Sequence, residues 1–324
     1  MMTSAQRGLT GLALLAALCV ASAAKAQDYP VRPVRIIVPT GPGGSYDVVA
    51  RVVGDQLGQK LGQAVVVENR TGAGTIVGTQ AVAQAAPDGY TLLAGGLSNI
   101  VFNASLYKKV PYDALTQLVP VAIVYKFSYM LVGSNDLPYS NVKDLIAAAK
   151  AKPNALNLGT AGVGTGQQLA GVAFMQATGT KLFEVPYKGA TAVYTDLLAS
   201  RVDVFFDSTT AALPLVKAGK VKGIAILAAQ RSPDAPDVPT MDEAGVRGLN
   251  VDSWIGLFAP AGTPKPVIEK LQTEIAAIAP ELKAKFVAVG GDSMTVPPDQ
   301  LTAFVRNDYD KWTKIIKEAG ITLD

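Results

Sequence analysis

The sequence predicts an α/β fold of two lobes with a ligand cleft between them. Short apolar runs alternate with helical patterns along most of the chain, the order found in a mainly parallel sheet flanked by helices. The alternation occurs in two series, and a long β-rich run at 119–134 joins them. A late apolar run at 253–260 would return the chain to the first lobe. Two series joined by long strands therefore predict two lobes.

The first series is predicted to contain three strands and two helices. The predicted strands are 34–38, 64–68 and 90–96, which are short apolar runs bounded by turn residues. Apolar residues recur every fourth position from Val49 to Leu61 and predict one buried face of a helix. A second helix is predicted from the glycine turn "TGAG" to about Ala86.

The second series continues the same order. Its predicted strands are 155–160, 183–187, 202–207 and 221–227. Its predicted helices are near 141–151, 167–178, 190–199 and 209–217. A proline-rich loop at 231–240 precedes the returning strand, and three helical stretches follow that strand. We therefore predict one lobe from 27–125 plus 251–324 and a second lobe from 126–250.

The N-terminal residues have the pattern of a cleavable export signal. Arg7 precedes the apolar run "LTGLALLAALCVA", and "AKA" at 24–26 is a small-x-small cleavage site. The apolar run is too short to span a bilayer comfortably. We expect residues 1–26 to be removed, together with Cys19. Lipidation of Cys19 is the weaker alternative, because Leu18 stands where a small residue is needed.

The composition excludes several kinds of chemistry. The chain has no histidine, and its single cysteine lies in the expected leader, so a Ser-His-Asp triad, a Cys-His pair and a His/Cys zinc site are excluded. A net charge of +3 without a basic tract argues against a nucleic-acid partner. "GAGTIVG" is dinucleotide-like, but only Asp88, in a turn, could serve as the acidic ribose partner. We predict no enzymatic activity, no cofactor and no metal.

Two glycine turns are the strongest candidates for holding an anion. Each precedes a helix, whose first N–H groups and dipole favour negative charge. Ligands of open α/β sheets lie outside the carboxyl ends of the strands, so the two turns should face each other across the cleft. The candidates are Gly43, Gly44 and Ser45 in the first turn and Gly162, Val163, Gly164 and Thr165 in the second. This arrangement would suit a small anion held at both ends.

Four side chains are further candidates, each with a structural alternative. Tyr46 follows the first turn and could form an aromatic wall or pack in the core. Ser98 and Asn99 could donate to a ligand or cap a helix. Asp207 ends a predicted strand and could accept a hydrogen bond from a ligand amine or cap the next helix.

Three other features are interpreted as structural. The glycines of 72–74 are assigned to turn geometry, because glycine turns are common. Lys188 and Arg70 could pair with a carboxylate, but a solvated surface position is the favoured interpretation for both.

Several motifs occur in an order and spacing that resemble a known receptor family. They are "YPVRPVRIIVPTGPGGSYDVVARVV", "VVVENRTGAG", "AAPDGYTLL", "VPYKGA", "DVPTMDEAG" and "SWIGLFAPAGTP". From about Tyr29 to its C-terminus the chain resembles the Bug, or TctC-type, receptors of tripartite tricarboxylate transporters. The resemblance implies a periplasmic protein with a two-lobed Venus-flytrap fold. It also implies a monomer that delivers a carboxylate to membrane permease subunits, with the carboxylate held by the two glycine turns.

Two departures from the family pattern lie in the expected pocket. Ser45-Tyr46 stands where members commonly have glycine or serine and then threonine, and a histidine common near Gln168 is absent. The resemblance therefore does not identify the ligand. Tyr46 favours an aromatic carboxylate such as terephthalate, and a di- or tricarboxylate is the other class. An exported sensor subunit signalling to a membrane kinase and a His-free exported hydrolase are the alternative functions.

Overall fold

The computed structural model describes residues 29–289, 291–318 and 322, so the expected leader and Cys19 lie outside the described residues. The strands are β1 (Val34–Val38), β2 (Val65–Asn69), β3 (Thr91–Gly96), β4 (Leu118–Gly133), β5 (Asn157–Thr160), β6 (Phe183–Pro186), β7 (Val204–Ser208), β8 (Lys222–Ile226), β9 (Asp252–Pro260) and β10 (Asp292–Ser293). The alternation of strands and helices predicted from the sequence is confirmed in both series.

The helices follow the strands in the predicted order. They are α1 (Ser45–Leu61), α2 (Ile76–Ala83), α3 (Asn103–Leu106), α4 (Ala114–Gln117), α5 (Val142–Ala151), α6 (Gly166–Thr178), α7 (Ala190–Leu198), α8 (Thr209–Lys217), α9 (Lys265–Ala277), α10 (Ala279–Ala288) and α11 (Leu301–Glu318). A π-helical segment (Leu97–Phe102) and a 3-10 turn (Pro298–Gln300) complete them. Within the described residues, no helix combines the length and apolarity needed to cross a bilayer.

The strands form two groups joined through β4. The order is β2-β1-β3-β9-β4 on one side and β4-β7-β5-β6 on the other, and β8 and β10 also pair with β4. β1 is parallel to β2 and β3, and β5 is parallel to β6 and β7, as the two βα series predict. β9 is antiparallel to β3 and β4, and β7 is antiparallel to β4. Each group is therefore a parallel sheet extended by antiparallel strands.

β4 belongs to both groups. The sequence predicts two β-rich runs meeting near Lys126 and Phe127, whereas the structure has one continuous 16-residue strand. It pairs with β9 as far as Ser128, opposite Asp252, and with β7 from Tyr129 to Gly133. No glycine, proline, asparagine or aspartate interrupts residues 121–132, so nothing in the sequence ends the strand. β4 thus passes from one group of strands to the other at 126–129, beside the start of β9 at Asp252.

The main hydrophobic core is continuous across the two sheets. It contains Val53 of α1, Leu92 of β3 and Phe206 of β7, all fully buried. Two satellite clusters lie around Phe102, against α11, and around Phe205, against α7 and α8. Burying an aliphatic or aromatic side chain of this size contributes about 1.5–3 kcal/mol. The core therefore supports the parallel strands of both groups from one face.

A cavity of about 720 Å³ lies where β4 passes between the two groups of strands, beside the start of β9. Its floor includes 126–128 of β4 and 252–254 of β9. One wall is formed by residues of 228–234, after β8, and another by Phe304 and Trp312 of α11. Both predicted lobes therefore contribute to this cavity, which we term the hinge cavity.

Candidate functional site

A second cavity lies at the carboxyl ends of the parallel strands, where the sequence places the cleft. Its volume is about 510 Å³, within the range of small-molecule sites. Four turns line it, after β1, β2, β5 and β6, two from each group of strands. The lining residues are 39–41, 71–75, 161–163, 165 and 186–189. We term this the cleft cavity.

The first turn is held by the side chain of Asp47. Gly43 has φ of +81°, and its N–H donates to Asp47 Oδ2 at 3.0 Å. Arg51 donates to both carboxylate oxygens at 3.1 and 2.8 Å, and Asn69 Nδ2 donates to Oδ1 at 3.0 Å. Burial opposes ionisation, but these hydrogen bonds outweigh it and keep the pKa of Asp47 below its usual range. Asp47 is therefore ionised, and Arg51 offsets its charge.

The second turn is held in the same way, by the neutral side chain of Gln168. Gly162 and Gly164 have φ of +127° and +77°, and the Gly164 N–H donates to Gln168 Oε1 at 2.8 Å. Thr165 Oγ1 donates to the Gly162 carbonyl at 2.7 Å, and Gln168 Nε2 donates to Glu184 at 2.8 Å. In both turns a glycine N–H is occupied by the side chain four residues later. Of the predicted turn residues, Gly162, Val163 and Thr165 line the cleft cavity, whereas Gly43, Gly44, Ser45 and Gly164 do not.

The turns from the two groups touch across the cleft. Thr191 Oγ1 donates to the Pro42 carbonyl at 3.0 Å, and the Tyr107 hydroxyl donates to the Val163 carbonyl at 3.3 Å. The Gly166 N–H donates to Ser98 Oγ at 3.0 Å. These contacts join residues 56 to 149 positions apart in the chain, so the structure is in a closed arrangement.

Glycine is required at this contact. A Cβ on Gly74 would lie 2.2 Å from the Tyr107 hydroxyl and 2.3 Å from the Val163 carbonyl oxygen. A Cβ on Gly41 would lie 3.2 Å from the carbonyl oxygen of Lys188. The two halves therefore approach backbone to backbone.

The structure places Tyr46 in the core rather than on the wall of the cleft cavity. The side chain is 5% exposed and packs in the main core. Its hydroxyl lies where a Cβ on Gly96 would be 2.4 Å away, and it has no hydrogen-bond partner among the described residues. Phe102, Phe127 and Tyr129 are also buried in core clusters.

Ser98 and Asn99 lie side by side in the π-helical segment but have different roles. Asn99 Oδ1 accepts from the Gly96 N–H at 2.9 Å, and its Nδ2 donates to Thr79 Oγ1 at 3.0 Å. Asn99 therefore fixes the end of β3, the structural alternative. Ser98 accepts from the N-terminus of α6 in the other half of the molecule. Neither residue lines the cleft cavity.

Asp207 is fully buried at the end of β7. Its Oδ1 accepts from the Ser208 N–H at 2.8 Å and from Gln167 Nε2 at 3.2 Å. Oδ2 is buried without a hydrogen bond in the described part of the chain. Burial raises the pKa of Asp207 to about 6, although the bonds from Ser208 and Gln167 act in the opposite direction. Asp207 lies outside the cleft cavity, close to the first turn of α6.

The turn at 71–75 lines the cleft cavity, although the sequence interpretation assigned its glycines to turn geometry alone. Four successive residues have positive φ, namely Gly72, Ala73, Gly74 and Thr75. Asn103 Nδ2 holds the turn by donating to the Gly74 carbonyl and to Thr75 Oγ1. Backbone strain of this kind is concentrated at functional sites. The paired glycines of "TGAG" are the sequence feature that could have indicated a place for this turn in the cleft.

Lys188 is exposed, as the favoured interpretation of a solvated residue expects, and it also lines the cleft cavity. It is the only charged side chain among the described residues that line the cavity. Arg70, beside the cavity, is paired with Glu68 at 2.6 Å. Among the described residues, no group of three or more acidic, histidine or cysteine side chains is placed to hold a metal.

Comparison with known proteins identifies the family. Residues 49–321 match the family TctC, described as "Tripartite tricarboxylate transporter family receptor". The chain belongs to this family. Receptors of the family are periplasmic solute-binding proteins, so the chain is a receptor of this kind.

Three solved structures of TctC-type or similar binding proteins resemble the chain closely. The periplasmic binding protein BugD has 36% sequence identity and a TM-score of 0.87, covering 91% of this chain and 100% of that chain. Rpa4515 of R. palustris, solved with adipate, has 32% identity and a TM-score of 0.86 over 91% and 100% of the two chains. MatC of Rhodopseudomonas palustris, with bound malate, has 30% identity and a TM-score of 0.83 over 89% and 100%. The predicted two-lobed binding-protein fold is confirmed.

Proposed function

We propose that this receptor captures a small aliphatic dicarboxylate in the cleft cavity and delivers it to the membrane subunits of a tripartite tricarboxylate transporter. One observation carries the proposal: a cavity lined by glycine turns from both halves of the chain, with a single cation and no anion on its described wall. Backbone N–H groups at helix N-termini and one lysine favour a carboxylate over a cation or a neutral solute.

The aliphatic class is favoured over the aromatic acids expected from the sequence. The expectation of an aromatic acid rested on Tyr46, which packs in the core. The wall of the cleft cavity is instead glycine, alanine, threonine, proline and valine, with Tyr187 as its single described aromatic residue. The bound ligands of two similar proteins are adipate and malate, both aliphatic dicarboxylates. A short flexible acid fits a cavity of about 510 Å³.

We propose lobes of 27–125 plus 251–324 and of 126–250, because β4 passes from one group of strands to the other beside these boundaries and β9 begins there. In this proposal the glycine turns that line the cleft cavity supply backbone N–H donors to the ligand after a change from an open to a closed state. Ser98, which accepts from the Gly166 N–H, would position the N-terminus of α6.

A thermal-shift panel on protein expressed from Gln27 tests the ligand class. It includes C3 to C8 dicarboxylates, malate, citrate, amino acids, benzoate and terephthalate. A ligand at 100 times its Kd stabilises the folded state by about 2.7 kcal/mol, which raises Tm by several degrees. We expect this rise with aliphatic dicarboxylates. A rise confined to aromatic acids, or none in folded protein, would contradict the proposal.

Two controls distinguish the receptor from the alternative functions. Mass spectrometry should recover the bound acid unchanged, whereas a hydrolase would return a product. Deletion of the gene for this chain should abolish uptake of the acid, whereas deletion of a sensor subunit would leave the transporter able to take up the acid.

A further inference from the structure

The cleft cavity contains a feature that bears on which acids it selects, and the inference rests on the function proposed above. We propose that Lys188 is a specificity-determining residue, which pairs with the second carboxylate of the ligand and makes the receptor prefer dicarboxylates to monocarboxylates. The sequence motif "VPYKGA" places this lysine between two residues whose backbones are fixed.

Among the described residues near the cavity, the other charged residues are already paired with each other, and Lys188 is not. Asp47 is charged but is bound by Arg51, and Arg70 is bound by Glu68. No carboxylate of the described residues forms an ion pair with Lys188. Lys188 is therefore the single full positive charge that a ligand in the cavity meets without first breaking an ion pair.

The backbone holds Lys188 at the junction of the two halves. The Tyr187 N–H donates to the Thr160 carbonyl at 2.9 Å, and the Gly189 N–H donates to the Ala161 carbonyl at 3.0 Å. These bonds fix the turn to the end of β5. The Lys188 carbonyl lies against Gly41 of the first turn, where a Cβ would be 3.2 Å away. The backbone of the Lys188 turn in one half therefore packs against the first turn of the other.

The hydroxyl of the neighbouring Tyr187 is bonded elsewhere, so it does not compete with Lys188 for a ligand carboxylate. The Tyr187 hydroxyl donates to Asp196 Oδ2 at 2.7 Å, and Asp196 also pairs with Arg201 at 3.0 Å. Tyr187 is thus anchored to α7. One carboxylate can then bind the neutral N–H donors of the helix N-termini, which discriminate weakly between acids. The second carboxylate is recognised by Lys188, which distinguishes a carboxylate from an amide of the same shape.

The test compares adipate and malate with their monoamides, which differ from them only at one carboxylate. Calorimetry measures Kd for wild type, Lys188→Gln, Lys188→Arg and the control Lys181→Gln, at low and at physiological salt. Lys181 is exposed in the same half and does not line the cavity. We expect Lys188→Gln to weaken the dicarboxylates about tenfold and the monoamides less than twofold, because a partly exposed pair lies between surface and buried cases.

The remaining results separate the two proposals. Lys188→Arg should retain the preference, Lys181→Gln should bind as wild type does, and the salt dependence of dicarboxylate binding should decrease in Lys188→Gln. Equal losses for acids and monoamides, or no loss, would overturn the role of Lys188 while leaving the receptor proposal intact. Wild-type protein that binds none of the four compounds would overturn the proposed function, and the role of Lys188 with it.

Discussion

Two glycines at the cleft, Gly43 and Gly164, each give their N–H to a side chain in the following helix. In the first turn the acceptor is the ionised Asp47, and in the second it is the neutral Gln168. Each side chain therefore closes its turn. The shape of both turns depends on residues that need not touch a ligand.

Gly74 limits how closely the two halves can approach. Gly74→Ala would place Cβ within 2.3 Å of the Val163 carbonyl oxygen, so we expect the closed state to be disfavoured and Kd to rise at least about tenfold. Gly62→Ala is a matched control, because Gly62 has φ of +65°, close to the +59° of Gly74, and open space around it. Both variants should lose about 1–2 kcal/mol of stability in urea, the cost of left-handed backbone.

Calorimetric Kd values for the two variants distinguish the effect of backbone strain from that of a steric clash between the two halves. If Gly62→Ala weakens binding as much as Gly74→Ala does, the loss comes from backbone strain and not from the contact between halves.

Asp207 predicts a pH-dependent stability. Its folded pKa of about 6 lies above that of an unfolded aspartate, so folding binds a proton between about pH 4 and 6. Its contribution to the free energy of unfolding is most favourable below pH 4 and is lost as pH rises through 6. The shift corresponds to about 3 kcal/mol. Urea unfolding of wild type and Asp207→Asn from pH 4.5 to 7.5 should show this decline in wild type alone, and parallel curves would contradict it.

At the scale of elements, α7 carries a contact that spans the cleft. Thr191 donates to the Pro42 carbonyl of the first glycine turn, and it lies in the first turn of α7, after Gly189. The helix therefore links the Lys188 turn of one half to the anion-binding turn of the other. This arrangement couples the position of α7 to closure.

Thr191→Val removes this hydrogen bond while keeping the shape of the side chain. We expect Kd to rise about two- to tenfold, the value of one hydrogen bond of about 0.5–1.5 kcal/mol, with little change in unfolding free energy. Thr195→Val is the control, because Thr195 donates only within α7, to the Thr191 carbonyl. Titration calorimetry should show normal binding in the control, and an equal loss in both variants would assign the effect to the helix itself.

The elements differ in how far the sequence predicts them. β1 is predicted to the residue, because "VRIIV" is a short apolar run with turn residues on both sides. The π-helical segment Leu97–Phe102 is not predicted, since local periodicity does not specify a π-helix and tertiary burial decides it. Of the two predicted turns, the one at 162–165 contributes to the cleft cavity and the one at 43–45 does not, whereas the turn at 71–75 was not predicted to contribute. No local pattern shows which turns from distant strands meet.

For the whole molecule, the two βα series predict the succession of strands and helices along the chain. They do not predict that the two groups of strands are joined through β4. The sequence places a break near Lys126, where a charged residue interrupts apolar ones, but this exposed lysine is paired with Trp254 of β9 and Asp292 of β10 and does not end the strand. Long-range pairing with β9 and β7 makes the run continuous. Both lobes therefore share the strand β4, and a rotation of one lobe relative to the other must bend or twist this strand.

The hinge cavity makes the receptor suited to optical sensing. It is lined by both proposed lobes and shares no lining residue with the cleft cavity, so a dye placed there leaves the ligand site untouched. The chain has a single cysteine, Cys19, so protein expressed from Gln27 has no thiol of its own. A solvent-sensitive fluorophore on Ala229→Cys would be unique, and its emission would follow the rotation of the lobes. Fluorescence could then report the concentration of the transported acid directly, without a coupled enzyme or a radiolabel.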